Sequence, residues 1–338
     1  MRGRALTVAT ALVATAVSAQ DSAVTFDRYD PLSSNAILAE RLVSPLTAEL
    51  GFGDMVAHHQ RLAEQPVDLS QESFRLFVPT TMPANGYGLL VFVPPWPDAA
   101  IPRSWHGTLE KRGVIMVTMA NAGNDTSVLG RRDPLAILAA TNVMQRYRVD
   151  SDRVYIGGFS GGSRVAFKLA VGYPDLFKGA FLLAGADALG ENGFAPPASR
   201  LMDRFTAQSR IVYVSGARDD INVSLSRGSA ASLRTFCTRA SGMLIVPGLG
   251  HELIDSAWLG KSLDLLDSPA PGMDAACRKR LEGQIAKELD AAEALLDQGQ
   301  IAQSRKRLLA LDARYGGLAL PRSLVLLRRI EADTKVRP

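Results

Sequence analysis

Short β-rich runs alternate with helix-like stretches along the middle of the chain, and this alternation constrains the fold more than any other feature. Several of the runs lack polar alternation, as strands buried on both faces do. Helical patterns lie between them, notably Pro134–Tyr147, with Asp133 as an N-cap candidate, and Gly162–Val171. The order predicts an α/β fold, a three-layer, mostly parallel sheet with helices on both faces. The predicted strands are Phe74–Val78, Leu89–Val93, Val114–Thr118, Arg153–Ile156, Gly179–Leu183, Ile211–Ser215 and Met243–Val246.

The sequence on either side of this α/β domain, residues 71–268, has a different pattern. Residues 20–70 predict a helical and irregular extension, with Ile37, Leu38 and Leu42 spaced for one amphipathic face. A proline-containing break at 268–272 precedes residues 273–335, which predict a small C-terminal helical appendage. We expect this appendage to serve packing or contact with a protein partner. The apolar face of its first helix comprises Leu281, Ile285, Leu289, Ala292 and Leu296.

The first nineteen residues resemble a secretory signal peptide. Arg2 and Arg4 precede an apolar run from Ala5 to Val17, and small residues up to Ala19 form a cleavage-site pattern. The run is shorter than the roughly 18–20 residues that span a bilayer, which disfavours the alternative of an uncleaved anchor. We therefore expect a secreted or periplasmic protein that is cleaved near Ala19 and has no membrane span.

Composition excludes some classes of protein. Apolar residues make up 47% and charged residues 21% of the 338, as in globular proteins. The formal net charge of +4 falls to +2 once Arg2 and Arg4 leave with the signal peptide, so nothing suggests a nucleic-acid partner. The basic blocks at 278–280 and 305–307 lie in helical sequence, where solvated helix faces explain them best.

Two cysteines, Cys237 and Cys277, are the whole complement, and their spacing matches no metal site. An exported protein meets oxidising conditions, so the two could form one disulfide. Two separate buried thiols are almost equally compatible with the sequence.

The candidate nucleophile is Ser160. The β run Arg153–Ile156 leads into Gly158-x-Ser160-x-Gly162, and a helical stretch follows at once. This is the context of a nucleophile elbow, a strained turn that lifts a serine hydroxyl above the sheet and needs small neighbours. The backbone N–H of Gly161, at the start of the helix, points to where an oxyanion would form.

A serine hydroxyl needs a base, and His251 is the candidate because it alone of the four histidines follows the last strand. The acid that orients the base should follow the preceding strand, where Asp219 and Asp220 are adjacent. We favour Asp219, with Asp220 as the alternative. The chain order serine, acid, histidine is that of α/β-hydrolases.

The stretch from about Leu89 to Leu266 resembles the α/β-hydrolase superfamily, particularly its secreted esterase and polyhydroxybutyrate-depolymerase-like branch. The resemblance covers roughly half the chain and implies a triad of Ser160, Asp219 and His251 that transfers an acyl group to water. The motifs that carry it are Gly158–Gly162, Tyr173–Phe177, Gly216–Asp219 and Gly248–His251.

The chain departs from this family after its early strand. The family usually has His-Gly there and takes a second oxyanion donor from the loop, whereas this chain has the proline-rich segment 93–97. Proline has no N–H, so Trp96 is the nearest donor if the loop keeps the family's placement. Loss of one such donor costs about 100- to 1,000-fold in rate.

Asn121, Asn124 and Asp125 follow another strand, on the side where open α/β sheets usually place ligand-contacting loops. Contact of Asn121 and Asn124 with substrate is one interpretation. The other is that these residues form turns, which their types favour.

These residues predict a serine esterase that acts on a small-molecule or polymeric ester and needs no metal or organic cofactor. One alternative is a catalytically silent binding protein that keeps the hydrolase scaffold, as the prolines after the early strand would allow. The other alternative is a peptidase or an acyltransferase with the same triad, because one scaffold hosts many reactions.

Overall fold

One sheet of eight strands lies at the centre of the structure, a computed structural model that describes residues 20–336. The spatial order is β1-β2-β4-β3-β5-β6-β7-β8, with β2 antiparallel to both of its neighbours and every later pair parallel. The strands are β1 Gln20–Val24, β2 Phe74–Val78, β3 Tyr87–Val93, β4 Val114–Met119, β5 Val149–Phe159, β6 Gly179–Leu183, β7 Arg210–Gly216 and β8 Gly242–Val246. The predicted signal peptide, with its cleavage site near Ala19, lies outside the described residues.

Helices cover both faces of this sheet, which confirms the predicted three-layer α/β architecture. Within residues 20–336, no helix is both long and apolar enough to cross a bilayer. The helices are α1 Asn35–Leu42, α2 Pro45–Ala57, α3 Arg103–Arg112, α4 Asp133–Arg146, α5 Gly161–Gly172, α6 Ser199–Gln208, α7 Asp220–Thr235, α8 Ser256–Leu266, α9 Ala275–Asp297, α10 Ile301–Tyr315 and α11 Arg322–Val336.

Strand β3 shows why the two layers form. Every residue of it is buried, and because side chains alternate across a strand, it supplies two cores. Leu89, Val91 and Val93 join the core beneath α4 and α5, whereas Leu90 and Phe92 join the smaller core beneath α3 and α8. A continuous apolar run is therefore what this central strand requires.

The N-terminal extension is not only helical and irregular, as predicted, because Gln20–Val24 adds strand β1 to the sheet. It pairs antiparallel with β2 along five residues and forms one edge of the sheet. The segment is short and partly polar, and it gains its strand conformation from the backbone groups that β2 offers, which a sequence pattern does not record. The predicted face of α1 is confirmed, since Leu38 and Leu42 are buried and Ile37 packs beside them.

The predicted C-terminal appendage consists of three helices, α9, α10 and α11, which have no core of their own. The five apolar positions expected on one face of α9 are all buried, and they belong to the same core as α4 and α5. Asp312 of α10 is buried and accepts hydrogen bonds from the Ser44 hydroxyl and, at 3.2 Å, from the backbone N–H of Leu46 at the start of α2. The helices thus complete the main core, and their predicted contact with a protein partner stays a prediction.

A disulfide joins the two cysteines, which settles the alternatives that the sequence left open. Cys237 lies just after α7 and Cys277 in the first turn of α9, with their Cα atoms 5.6 Å apart. The bond links the α/β region to the C-terminal helices.

Candidate active site

Ser160 occupies a sharp turn between β5 and α5, at the carboxyl edge of the sheet. Its backbone has φ 55° and ψ −119°, a conformation that residues other than glycine rarely adopt. The turn is fixed by its backbone, because the Ser160 N–H donates to Leu183 O at 2.8 Å and the Ser163 N–H donates to Ser160 O at 3.0 Å. Strained backbone of this kind concentrates at functional sites.

The glycines around Ser160 are required by close backbone approach. A Cβ placed on Gly158 would lie 2.3 Å from the carbonyl carbon of Gly162. A Cβ on Gly162 would lie 2.0 Å from the carbonyl oxygen of Val93 in the neighbouring strand β3. Helix α5 can therefore begin directly over the sheet only with glycine at both positions.

His251 lies in the loop between β8 and α8 and reaches the serine. Its Nε2 is 3.0 Å from Ser160 Oγ, within hydrogen-bonding distance. The imidazole packs on the ring of Phe159, with centroids 4.8 Å apart, while its side chain stays 45% exposed. The candidate base therefore packs against Phe159 and remains accessible to solvent.

Asp219 lies on the other side of the imidazole. It follows β7 immediately before α7, and its Oδ2 is 2.7 Å from His251 Nδ1. Burial raises the pKa of the Asp219 carboxyl, but hydrogen bonds from His251 and Asn222 outweigh burial, so the pKa lies below its usual value. The neighbouring Asp220 is exposed, and the ring hydrogen-bonds to Asp219 instead.

Asn222 also belongs to this cluster, although the sequence analysis did not identify it. Its Nδ2 donates to Asp219 Oδ1 at 2.9 Å and to Oδ2 at 2.8 Å, and lies 3.1 Å from His251 Nδ1. The spacing of three residues from Asp219, one helical turn, is the only sequence signal for it. A Cβ on Gly185 would lie 2.4 Å from Asn222 Oδ1, so glycine at 185 makes room for the amide.

The proline-rich loop after β3 lies beside the start of α5. Because prolines cannot donate, the loop is held through its carbonyl oxygens. Three of these accept hydrogen bonds: Pro94 from the Arg132 side chain at 2.9 Å, Pro95 from the Asn124 N–H at 3.0 Å, and Pro97 from the Asn121 N–H at 2.6 Å.

Two backbone N–H groups at this edge are candidates for an oxyanion site. Gly161 is the first residue of α5, where an N–H has no partner within the helix. The N–H of Trp96 has no backbone acceptor within residues 20–336, and its indole lies 5.9 Å from the Phe159 ring between centroids. Both predicted donors therefore lie in segments that meet near Ser160.

The structure separates the two asparagines that were expected to contact substrate. Asn124 lies against the elbow, since a Cβ on Gly161 would meet its Oδ1 at 2.1 Å, and it lines an adjoining cavity. Asn121 is exposed with φ 52°, its backbone holds the proline-rich loop, and it does not line that cavity. For Asn121, the turn interpretation is the one that this geometry supports.

A cavity of about 390 Å³ opens beside Gly161, between α5 and the segment that precedes α4. Three basic side chains and one acidic side chain line it, namely Arg132, Arg164, Lys168 and Asp187. In the part of the chain that is described, no three histidine, cysteine or acidic side chains are grouped as metal ligands would be.

Comparisons with known proteins add family information. Residues 119–230 match the family model described as Esterase PHB depolymerase, a segment that contains Ser160 and Asp219 and ends before His251. A search of curated proteins finds no match.

Solved structures resemble the chain at low identity. An acylaminoacyl peptidase from Pyrococcus horikoshii is 14% identical with a TM-score of 0.43, over 55% of this chain and 36% of that one. An acetyl xylan esterase from Aspergillus awamori is 14% identical with a TM-score of 0.42, over 58% of this chain and 94% of that one. An esterase from Thermogutta terrifontis is 15% identical with a TM-score of 0.43, over 60% and 88%. The chain thus spans little more than a third of the peptidase's length.

The family match covers the elbow strand, helix α5 and the segment that carries Asp219, and the sheet around them has the strand alternation expected of the resemblance. The chain therefore has a three-layer α/β fold, and over residues 119–230 it is similar to the polyhydroxybutyrate-depolymerase-like esterases.

Proposed function

We propose that the protein is a serine esterase that hydrolyses a small-molecule or polymeric carboxylic ester through an acyl-enzyme. One observation carries this proposal: His251 bridges Ser160 and Asp219, with Nε2 3.0 Å from the serine oxygen and Nδ1 2.7 Å from the carboxylate. A hydroxyl, an imidazole and a carboxylate in this order are the parts that activate a serine.

Acylation begins when Ser160 Oγ attacks the ester carbonyl carbon and its proton passes to His251 Nε2. Asp219 accepts the Nδ1–H of His251, which fixes the tautomer and stabilises the imidazolium. The bond to the alcohol oxygen then breaks, and the imidazolium gives its proton to that oxygen. The acyl group remains on Ser160.

Deacylation repeats these steps with water. His251 takes a proton from the attacking water, the tetrahedral intermediate collapses, and the proton returns to Ser160 as the carboxylic acid leaves. The N–H groups of Gly161 and Trp96 donate to the oxyanion in both halves of the reaction. The start of α5 adds its positive dipole end at the same place.

The intact arrangement around Ser160 disfavours a catalytically silent binding protein. The prolines after β3, which supported that alternative, supply carbonyl oxygens for hydrogen bonds and leave the N–H of Trp96 free of backbone acceptors among the described residues. Amide hydrolysis and transfer to another acceptor would use the same residues, so substrate tests must separate them.

The proposal includes export of the protein from the cytoplasm. The N-terminal pattern, which ends near Ala19, is that of a signal peptide, and the Cys237–Cys277 disulfide supports an oxidising compartment such as the periplasm or the cell exterior. Mass determination of the secreted protein tests the cleavage site.

The central test is hydrolysis of p-nitrophenyl acetate and butyrate by the mature protein, with a fluorophosphonate as a covalent label for Ser160. Ser160→Ala and His251→Ala should abolish turnover, and Ser160→Ala should abolish labelling. Ser70→Ala and His58→Ala change the same residue types at exposed positions and should leave both unchanged.

A folded wild-type protein that neither turns over these esters nor reacts with the fluorophosphonate would overturn the proposal. Faster cleavage of a matched p-nitroanilide than of the ester would indicate a peptidase. Product that appears only with an added alcohol acceptor would indicate an acyltransferase.

A further inference from the structure

The cavity beside the elbow is lined by three basic side chains and only one acidic side chain. It has a volume of about 390 Å³ and begins at Gly161, whose N–H is a proposed oxyanion donor. Its walls are one face of α5, the segment that leads into α4, and the loop before α6. The residues that line it are Asn124, Val128, Arg132, Gly161, Arg164, Val165, Lys168, Asp187, Asn192, Gly193 and Phe194.

One wall is a single stripe along α5. Gly161, Arg164, Val165 and Lys168 follow the spacing of one helix face. With a rise of about 1.5 Å per residue, the backbone of Arg164 lies about 5 Å along the helix from the oxyanion donor, and that of Lys168 about 10 Å. The two cations thus succeed each other as the cavity leads away from Ser160.

Arg132 adds a buried cation to the opposite wall. Its side chain donates to Pro94 O at 2.9 Å and reaches Asn124 Oδ1 at 3.4 Å, and the residue is only 3% exposed. Its Nε has no hydrogen-bond partner among the described residues. Water screens a buried charge poorly, so this guanidinium acts strongly on the cavity.

Three acidic residues act on these cations, Asp187, Asp133 and Asp125, and of the three only Asp187 lines the cavity. Asp187 lies 3.0 Å from Arg164, but both side chains are about 40% exposed, and such pairs are weak. Lys168 makes no ion pair or side-chain hydrogen bond within residues 20–336. Asp133 is buried outside the lining, and burial raises its carboxyl pKa to about 7, so part of its charge is lost near neutrality.

We infer that this cavity binds an anionic group, so that the natural ester carries a carboxylate or similar anion about 5–10 Å from its scissile carbonyl. The inference extends the proposed esterase function, and it rests on that function only for the claim that the bound molecule is an ester. Binding of the anion itself depends only on Lys168, Arg164 and Arg132.

The first test measures binding without turnover. Ser160→Ala protein is titrated by calorimetry with monomethyl adipate, which is anionic, and with dimethyl adipate, which is neutral. We expect the anion to bind at least tenfold more tightly. Adding Lys168→Gln or Arg164→Gln should weaken its binding about tenfold and leave the neutral diester unchanged, whereas Lys287→Gln, an exposed lysine on α9, should change neither.

The second test is kinetic and shows on which side of the ester bond the anion lies. Mono-p-nitrophenyl adipate carries the anion on the acyl side and is compared with p-nitrophenyl hexanoate. The compound 4-acetoxyphenylacetate carries the anion on the alcohol side and is compared with phenyl acetate. One anionic ester should exceed its neutral partner at least tenfold in kcat/KM. This preference should shrink in Lys168→Gln and at high ionic strength.

The outcomes separate the two proposals. Equal binding of both adipates, or variants that weaken both alike, would overturn the anion site even if neutral esters are hydrolysed. Failure of every ester with the expected binding difference intact would instead overturn the esterase function and leave an anion-binding cavity.

Discussion

The side-chain amide of Asn222 donates to both carboxylate oxygens of Asp219, at 2.9 and 2.8 Å. Asp219 Oδ2 is also the atom that faces His251 Nδ1, at 2.7 Å. The amide therefore fixes the plane of the carboxylate beside His251, the proposed base, and His251 and the amide together lower the carboxyl pKa. In the proposed mechanism Asn222 is a positioning residue, since it would act on Ser160 only through the two side chains between them.

Asn222→Ala should lower kcat by about tenfold to a hundredfold, the effect of losing hydrogen bonds to a charged group, with little change in KM. The Asp219 carboxyl pKa should rise without these donors, so any limb of the pH–rate profile that this carboxyl sets should move to higher pH. Steady-state kinetics from about pH 2 to 9, a range that includes the ordinary pKa of an aspartate, measure both. An unchanged pH profile with lower kcat would indicate a merely structural role.

Asp219→Asn should lower kcat by about 10⁴-fold, because an amide that donates to Nδ1 would hold the imidazole in the wrong tautomer. Asp220→Asn is the matched control, one residue away, exposed and outside the cluster. Its activity should equal that of the wild type. If Asp220→Asn caused the larger loss, the acid would have been assigned to the wrong residue.

The elbow could be predicted because its requirements are local. A strand, a turn and a helix follow one another, and Gly158 is required by its backbone contact with Gly162, four residues later. Only the contact of Gly162 with Val93 in β3 joins segments that are distant in the chain. Chain order then led to His251 and Asp219, because each follows a strand whose carboxyl end meets the same edge of the sheet.

The remainder of the site depends on contacts between distant segments. Lys168 and Arg164 could be assigned to one face of α5 from their spacing, but Arg132 reaches that cavity only through the tertiary fold. Strand β1 likewise depends on the edge of β2, and the placement of α10 depends on buried Asp312 meeting the start of α2. No periodicity within one segment records such partners.

Removal of the disulfide by Cys237→Ala with Cys277→Ala should lower the free energy of unfolding by up to about 4 kcal/mol, from the entropy of closing a 40-residue separation. The bond joins the end of α7 to α9, so the C-terminal helices should loosen first. Urea unfolding with and without a thiol reductant measures the loss. Wild type that is equally stable when reduced would contradict this expectation.

Asp133 makes stability depend on pH. It is fully buried in the first turn of α4, and neither carboxylate oxygen has a hydrogen-bond partner among the described residues. Burial raises its pKa from 3.8 to about 7, against the opposing influence of Lys168 and Arg132. The folded protein therefore keeps a proton that the unfolded chain releases above about pH 4.

Because the folded state binds the extra proton between about pH 4 and 7, the contribution of Asp133 to the free energy of unfolding falls as pH rises through this window. The fall is about 4 kcal/mol for a difference of about three pKa units. Asp133→Asn cannot ionise and should lose this component, so it should gain stability relative to wild type at pH 8 but not at pH 4. Urea unfolding at several pH values measures the difference, with Asp98→Asn as an exposed control. A constant difference between Asp133→Asn and wild type across this range would mean that Asp133 stays ionised in the folded protein, held by Lys168 and Arg132 more strongly than burial opposes it.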